Sequence, residues 1–174
     1  MEKLNKLIEG KVSEEIVNYF IDFLDNYSND DFIDTSNVCT LNGNQTPNVL
    51  SQIDPNIVAQ IKTNYLLPSI NIIKGWYKLE DIEIDSIHLI EYLNQGKQTI
   101  HNHENWEDYS WIIYLNDSDG DTIFYTFPKH IQISPKKGKI VIWKSYIDHE
   151  GLESLKNKKV VVGSIKEIGK KWIQ

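Results

Sequence analysis

The chain has 174 residues, enough for one domain with a sizeable core, and 40% of them are hydrophobic, which excludes a disordered chain. Its net charge is −7 and all 18 basic residues are lysines. An acidic chain without arginine lacks the side chain that nucleic-acid readers use for bidentate contacts, so no nucleic-acid partner is expected. Cys39 is the only cysteine, which rules out an internal disulfide and zinc-ribbon spacings. No apolar run approaches the ~18–20 residues of a membrane span, so no membrane partner is expected. The opening M-E-K-L-N-K-L-I-E-G has no apolar h-region of a signal peptide, and a reducing, cytoplasmic location is the expectation.

Residues 1 to about 28 read as helical. Ser13 is placed to cap the helix, acidic residues follow in its first turn, and Ile16, Tyr19, Phe20, Phe23 and Leu24 form one apolar stripe. Residues 29–48 are rich in Asn, Asp, Ser, Thr and Gly and read as a loop, a candidate lid over a barrel mouth. A second helix is predicted from Asp54-Pro55 to about Leu67, with Pro55 suited to its first turn. From residue 70 short runs rich in Ile, Val, Tyr and Trp alternate with turn signals at N-Q-G-K, N-D-S-D-G-D, P-K-K-G-K and H-E-G-L. Strands at this spacing predict a sandwich, barrel or jelly roll. The expected plan is a single domain, 1–174. A helical part with a polar loop, 1–70, packs on an antiparallel β core, 71–174.

Residues 99–106 read T-I-H-N-H-E-N-W. On a strand, residues i and i+2 share a face, so His101 and His103 project together and Glu104 points away. The same spacing also fits two solvated histidines at a strand end. His149 follows the apolar run K-I-V-I-W-K and opens the turn D-H-E-G-L, where a lone histidine is usually a surface residue. Two imidazoles early in a jelly roll and one late could converge inside it and leave open metal positions, which oxygen chemistry needs. Trp106, Tyr109 and Trp111 read as core or rim packing, or as an aromatic wall beside a substrate opening. His88 and His130 read as structural or surface residues.

Residues from about 88 to 165 resemble the 2-oxoglutarate- and Fe(II)-dependent dioxygenases, in particular their prolyl 4-hydroxylase-like branch. In I-E-Y-L-N-Q-G-K-Q-T-I-H-N-H, Tyr92 stands nine residues before His101, as the family's tyrosine and first iron histidine do. W-I-I-Y-L-N-D-S-D-G-D-T-I-F is similar to the "YLN…GGETxF" block, with Asp119 in place of the first glycine. I-S-P-K-K-G-K-I-V-I-W is similar to "V-x-P-x-x-G-x-x-x-x-F". D-H-E-G-L supplies the distal histidine, His149, and ten residues later comes Lys159, where this branch places the basic residue for the cosubstrate's far carboxylate. The five blocks stand in order and span somewhat under half the chain.

The resemblance implies a double-stranded β-helix holding Fe(II) on His101, His103 and His149. It implies 2-oxoglutarate chelating the iron, with its far carboxylate on Lys159 and hydrogen bonds from Tyr92 and Thr122. Lys158 and Lys159 face opposite sides of a strand, so only one points inward, and the spacing to His149 selects Lys159. O2 is then a cosubstrate, ascorbate a possible reductant, and the prime substrate a peptide prolyl side chain or a small molecule. The chain departs from the family at position 103, where Asp or Glu is usual. Either His103 is a ligand, or Glu104 swings in at a bulge, or the site is degenerate and serves as a metal-binding or interaction module. A three-histidine dioxygenase of the cupin kind, needing no 2-oxoglutarate, is the enzymatic alternative.

Overall fold

Nine strands and three α-helices account for most of the regular structure in residues 7–75 and 78–168, the part of the chain described by the computed structural model. Strand β1 is Ile8–Lys11 and helix α1 is Glu14–Asp25. The predicted single helix is thus corrected in part. Residues 8–11 pair with a later strand, residues 1–6 lie outside the described residues, and the helix starts where Ser13 caps it. The Ser13 hydroxyl accepts from the Ile16 backbone N–H at 3.4 Å, and Ile16, Val17, Phe20 and Leu24 make the buried stripe.

The polar stretch 29–48 is corrected as well. It holds two short 3₁₀ turns and then strand β2, Thr40–Gln45, which pairs with a long strand of the core rather than lying free as a lid. Helix α2, Pro55–Ile61, starts at Asp54, whose carboxylate accepts from Asn56 N–H at 2.8 Å. A π-turn, Lys62–Leu66, leads into α3, Leu67–Lys74, so the helical region outruns its predicted end. Pro68 sits in the first turn of α3, and Gly75, at φ 71°, stops it.

The core strands follow as β3 (Asp81–His101), β4 (Tyr109–Tyr114), β5 (Thr122–Phe124), β6 (Ile131–Ile133), β7 (Lys139–Lys144), β8 (His149–Ser154) and β9 (Lys158–Ile168). All pairs are antiparallel, in the order β1-β7-β4-β9-β3-β8-β5-β6, with β2 also on β3. The sheet curls into the jelly roll predicted above. Its outer face carries the helices over Ile82, Leu89, Trp111, Ile113, Ile142 and Val161, while Ile90, Tyr92, Tyr114, Phe124, Val141, Trp143 and Val160 fill its inside.

β3 makes the corner. Its first half pairs with β9 and its second half with β8. N-Q-G-K, expected as a turn between strands, is instead a kink within β3, with Gln95 at φ 62°. A Cβ on Gly96 would lie 2.6 Å from the Asn42 carbonyl oxygen and 2.8 Å from that of Leu93, so only glycine lets β2 cross the kink this closely.

Candidate metal centre

The corner of β3 brings its last residue opposite the first of β8, and His101 and His149 are register partners. His103 lies two residues past the strand, where its backbone N–H donates to the Ser145 carbonyl at 2.8 Å. The three rings meet. Their centroids lie 4.3 to 5.4 Å apart, and one ligand nitrogen of each falls within 4.8 Å of the others. His149 is only 4% exposed. Desolvation is the main cause that lowers all three imidazole pKa values, to about 4 for His103 and about 3 for His149. The rings are therefore neutral at pH 7, the form that binds a metal.

Each ring has its Nδ1 turned to an acceptor. His101 Nδ1 is 2.6 Å from the Thr99 carbonyl, His149 Nδ1 is 3.0 Å from that of Ile147, and His103 Nδ1 is 3.4 Å from Glu107 Oε1. Occupied Nδ1 atoms leave the Nε2 edges for an ion, the usual arrangement around a protein-bound metal. Glu104, the alternative ligand, is exposed on the turn after β3 and is not among the cavity-lining residues.

The rings open on a cavity of about 290 Å³. Tyr92, Thr122 and Lys158 line it, together with Trp143, Gln98 and Gly151. Here the sequence expectation is corrected: the lysine that reaches the cavity is Lys158, not Lys159. In the β3–β9 register Lys158 pairs with Tyr92, which points inside, and Lys159 pairs with Glu91, which points outside. Lys159 Nζ instead lies 2.7 Å from Asp25 and 3.8 Å from Glu91, on the helix side. Lys158 is 2% exposed; its ammonium donates to the Gly120 carbonyl at 2.7 Å and sits 4.6 Å from the centre of the Tyr92 ring. Burial pulls its pKa down from 10.5 to about 8. A Cβ on Gly151 would come within 3.5 Å of that ammonium, so glycine keeps the space beside it open.

Thr122 accepts from the Tyr114 hydroxyl at 2.7 Å, which leaves its own proton free to donate into the cavity. The indole N–H of Trp143 is buried with no hydrogen-bond partner among the described residues, and its ring centroid lies 4.9 Å from that of His149. Asp119, the departure from the family block, is structural. Its carboxylate accepts from the Ser154 hydroxyl at 2.8 Å and from the Leu155 and Lys156 N–H groups at 3.2 and 3.0 Å, pinning the turn that leads to Lys158. Trp106 is exposed at the cavity rim; Tyr109 and Trp111 pack in the outer core, and Trp111 also lines the cavity. His88 holds the Thr46 carbonyl at 3.1 Å and also lines the cavity.

Several solved structures share this architecture. A Pseudomonas putida prolyl-4-hydroxylase aligns with a TM-score of 0.71 at 15% identity, covering 95% of each chain. The present chain has the fold of the 2-oxoglutarate and Fe(II) oxygenases. A viral collagen prolyl hydroxylase from Paramecium Bursaria Chlorella virus-1, solved with 2-oxoglutarate, aligns at 0.64 with 16% identity over 94% of this chain and 96% of that one. HygX from Streptomyces hygroscopicus, solved with nickel, 2-oxoglutarate and hygromycin B, aligns at 0.68 with 11% identity over 97% and 84%. No family model and no curated protein matches the sequence. Three neutral imidazoles, a buried ammonium and two spare donors lining one cavity suit a divalent ion and a dicarboxylate.

Proposed function

We propose that the protein is an Fe(II)- and 2-oxoglutarate-dependent hydroxylase of C–H bonds. The observation that carries this reading is the pairing of the His101, His103 and His149 cluster with the Lys158 ammonium across one cavity. Iron(II) with 2-oxoglutarate supplies the chemistry: O2 is consumed, the oxo acid loses CO2 to become succinate, and a substrate C–H becomes C–OH. The chain's own residues hold and orient. The three Nε2 atoms hold the ion. Lys158 pairs with the far carboxylate in a site too dry to leave that charge unmatched. Thr122 donates to the same carboxylate, and the Tyr92 ring supports the ammonium from below. Phe124 and Trp143, packed at 4.9 Å between ring centroids, keep bulk water off His149.

The prime substrate is a C–H bond presented at the rim near Trp106, on a peptide prolyl side chain or a small molecule. Succinate formation in the presence of Fe(II), ascorbate and 2-oxoglutarate tests the reading, since even uncoupled turnover releases succinate. Wild-type protein is expected to produce it and Lys158→Met to lose it at sub-saturating cosubstrate. If no succinate forms and 2-oxoglutarate does not raise the Tm of the metal-loaded protein, the hydroxylase reading fails. Oxygen uptake without 2-oxoglutarate would instead identify a three-histidine dioxygenase, which the donor set also suits.

A further inference from the structure

Glu107 has no part in the reading above, yet it is one of the most buried carboxylates of the site, with its side chain 7% exposed. It lies on a tight turn after His103, and its backbone N–H donates to the His103 carbonyl at 3.3 Å. That i,i+4 relation returns the carboxylate to the His103 ring, where Oε1 stands 3.4 Å from Nδ1. The Ser110 hydroxyl, itself 3.2 Å from that of Ser145, donates to the same oxygen at 2.7 Å and holds it in place. Among the described residues no lysine forms an ion pair with Glu107. Burial pushes the Glu107 pKa up from 4.5 to about 7, so at neutral pH the group is partly protonated, and in either form an oxygen can accept from the ring. The other two rings are oriented by neutral backbone carbonyls. Among the described residues His103, which stands where the family carries a carboxylate ligand, is the only one of the three with a carboxylate oxygen within 4.0 Å of its ring nitrogen, Asp148 acting on His101 from further off.

We infer that Glu107 is the positioning residue of the metal centre: held by Ser110, it accepts the Nδ1–H of His103 and aims Nε2 at the ion. The inference rests on the metal-centre reading. The 3.4 Å separation is long for a hydrogen bond, and such bonds commonly tighten when a site is loaded.

Cobalt(II) titrated into the purified protein, followed by calorimetry and by the visible cobalt absorption, tests this without turnover. Wild type is expected to bind one ion per chain. Glu107→Met removes the acceptor at similar length and should weaken binding about 10–100-fold. Glu107→Gln keeps an acceptor and removes the charge, so its loss should be smaller, and its cobalt spectrum should stay close to wild type. Neither change should lower the Tm of the metal-free protein. In a His103→Asp background Glu107→Met should cost no more than about 2–3-fold, because the ring it orients is gone. Equal cobalt affinity in wild type and Glu107→Met overturns the inference and leaves the metal centre standing. So does an equal loss in both backgrounds, which would mark Glu107 as merely structural. A wild-type protein that binds no stoichiometric cobalt overturns both readings.

Discussion

Lys158 carries a stability cost that the Gly120 carbonyl and the charges of Asp121 and Asp119 relieve only in part. Below pH about 8 the folded and unfolded chains are both protonated there, and the folded one bears the full penalty of a buried ammonium. Between about 8 and the ordinary 10.5 the folded chain sheds its proton first, so stability rises with pH across that window. A depression of this size corresponds to roughly 3 kcal/mol. Lys158→Met should therefore raise Tm at pH 7, by roughly 2–4 °C for each kcal/mol recovered after the Gly120 carbonyl loses its donor. The same change should weaken 2-oxoglutarate binding strongly enough to remove turnover at sub-saturating cosubstrate. Affinity of the wild type for the dicarboxylate should fall as pH rises through about 8, read by quenching of the cavity tryptophans. Lys159→Met, breaking half-exposed pairs to Asp25 and Glu91, should leave that affinity unchanged and cost about 1 kcal/mol at most. The two lysines mark the limit of what the sequence reveals at this scale. His101 and His103 are legible from strand periodicity, whereas His149, Tyr92 and Thr122 come only with the family resemblance; all five line the cavity. The phase of Lys158 against Lys159 depends on the length of the turn at residues 154–157, which Asp119 sets through hydrogen bonds no pattern displays. Glu107 is hidden for the opposite reason. Its i,i+4 distance from His103 is a helical signal, placed where strand periodicity directs attention.

At the scale of elements, strands β3, β4 and β9 owe their close packing to one glycine. A Cβ on Gly163 would come to 2.4 Å from Cε2 and Cζ2 of Trp111 and 2.7 Å from the Ser86 carbonyl oxygen. Trp111 is fully buried and cannot retreat without opening the seam between sheet and helices. Gly163→Ala should thus destabilise by about 1–3 kcal/mol, as overpacking does, and lower the urea midpoint without a large change in slope. An unchanged midpoint would mean that the indole has room to turn. Helix α1 was readable because cap, acidic first turn and apolar stripe all agree. Strand β2 was not, since T-L-N-G-N-Q has the composition of a loop and is extended only because β3 offers it a partner.

For the whole molecule, alternating apolar runs announced the jelly roll, and its topology explains which parts are firm. β9 lies between β3 and β4 in the middle of the sheet and carries Val160, Val161 and Ile165, all fully buried. Hydrogen exchange should find the amides of β9 and β4 opening only with global unfolding, while β6, a short edge strand with Ile131 and Gln132 partly or fully exposed, opens locally at lower cost. Comparable protection at both places would contradict this ordering.

The same arrangement has a consequence for how the protein is made. β3 and β4 become neighbours only through β9, which leaves the ribosome after both. A nascent chain that has already emitted every histidine still presents two long unsatisfied strand borders, each rich in isoleucine, for as long as that middle plank is missing. Stalling upstream of residue 158 should therefore yield sticky, chaperone-bound intermediates, whereas a chain that has cleared it zips both borders in one event.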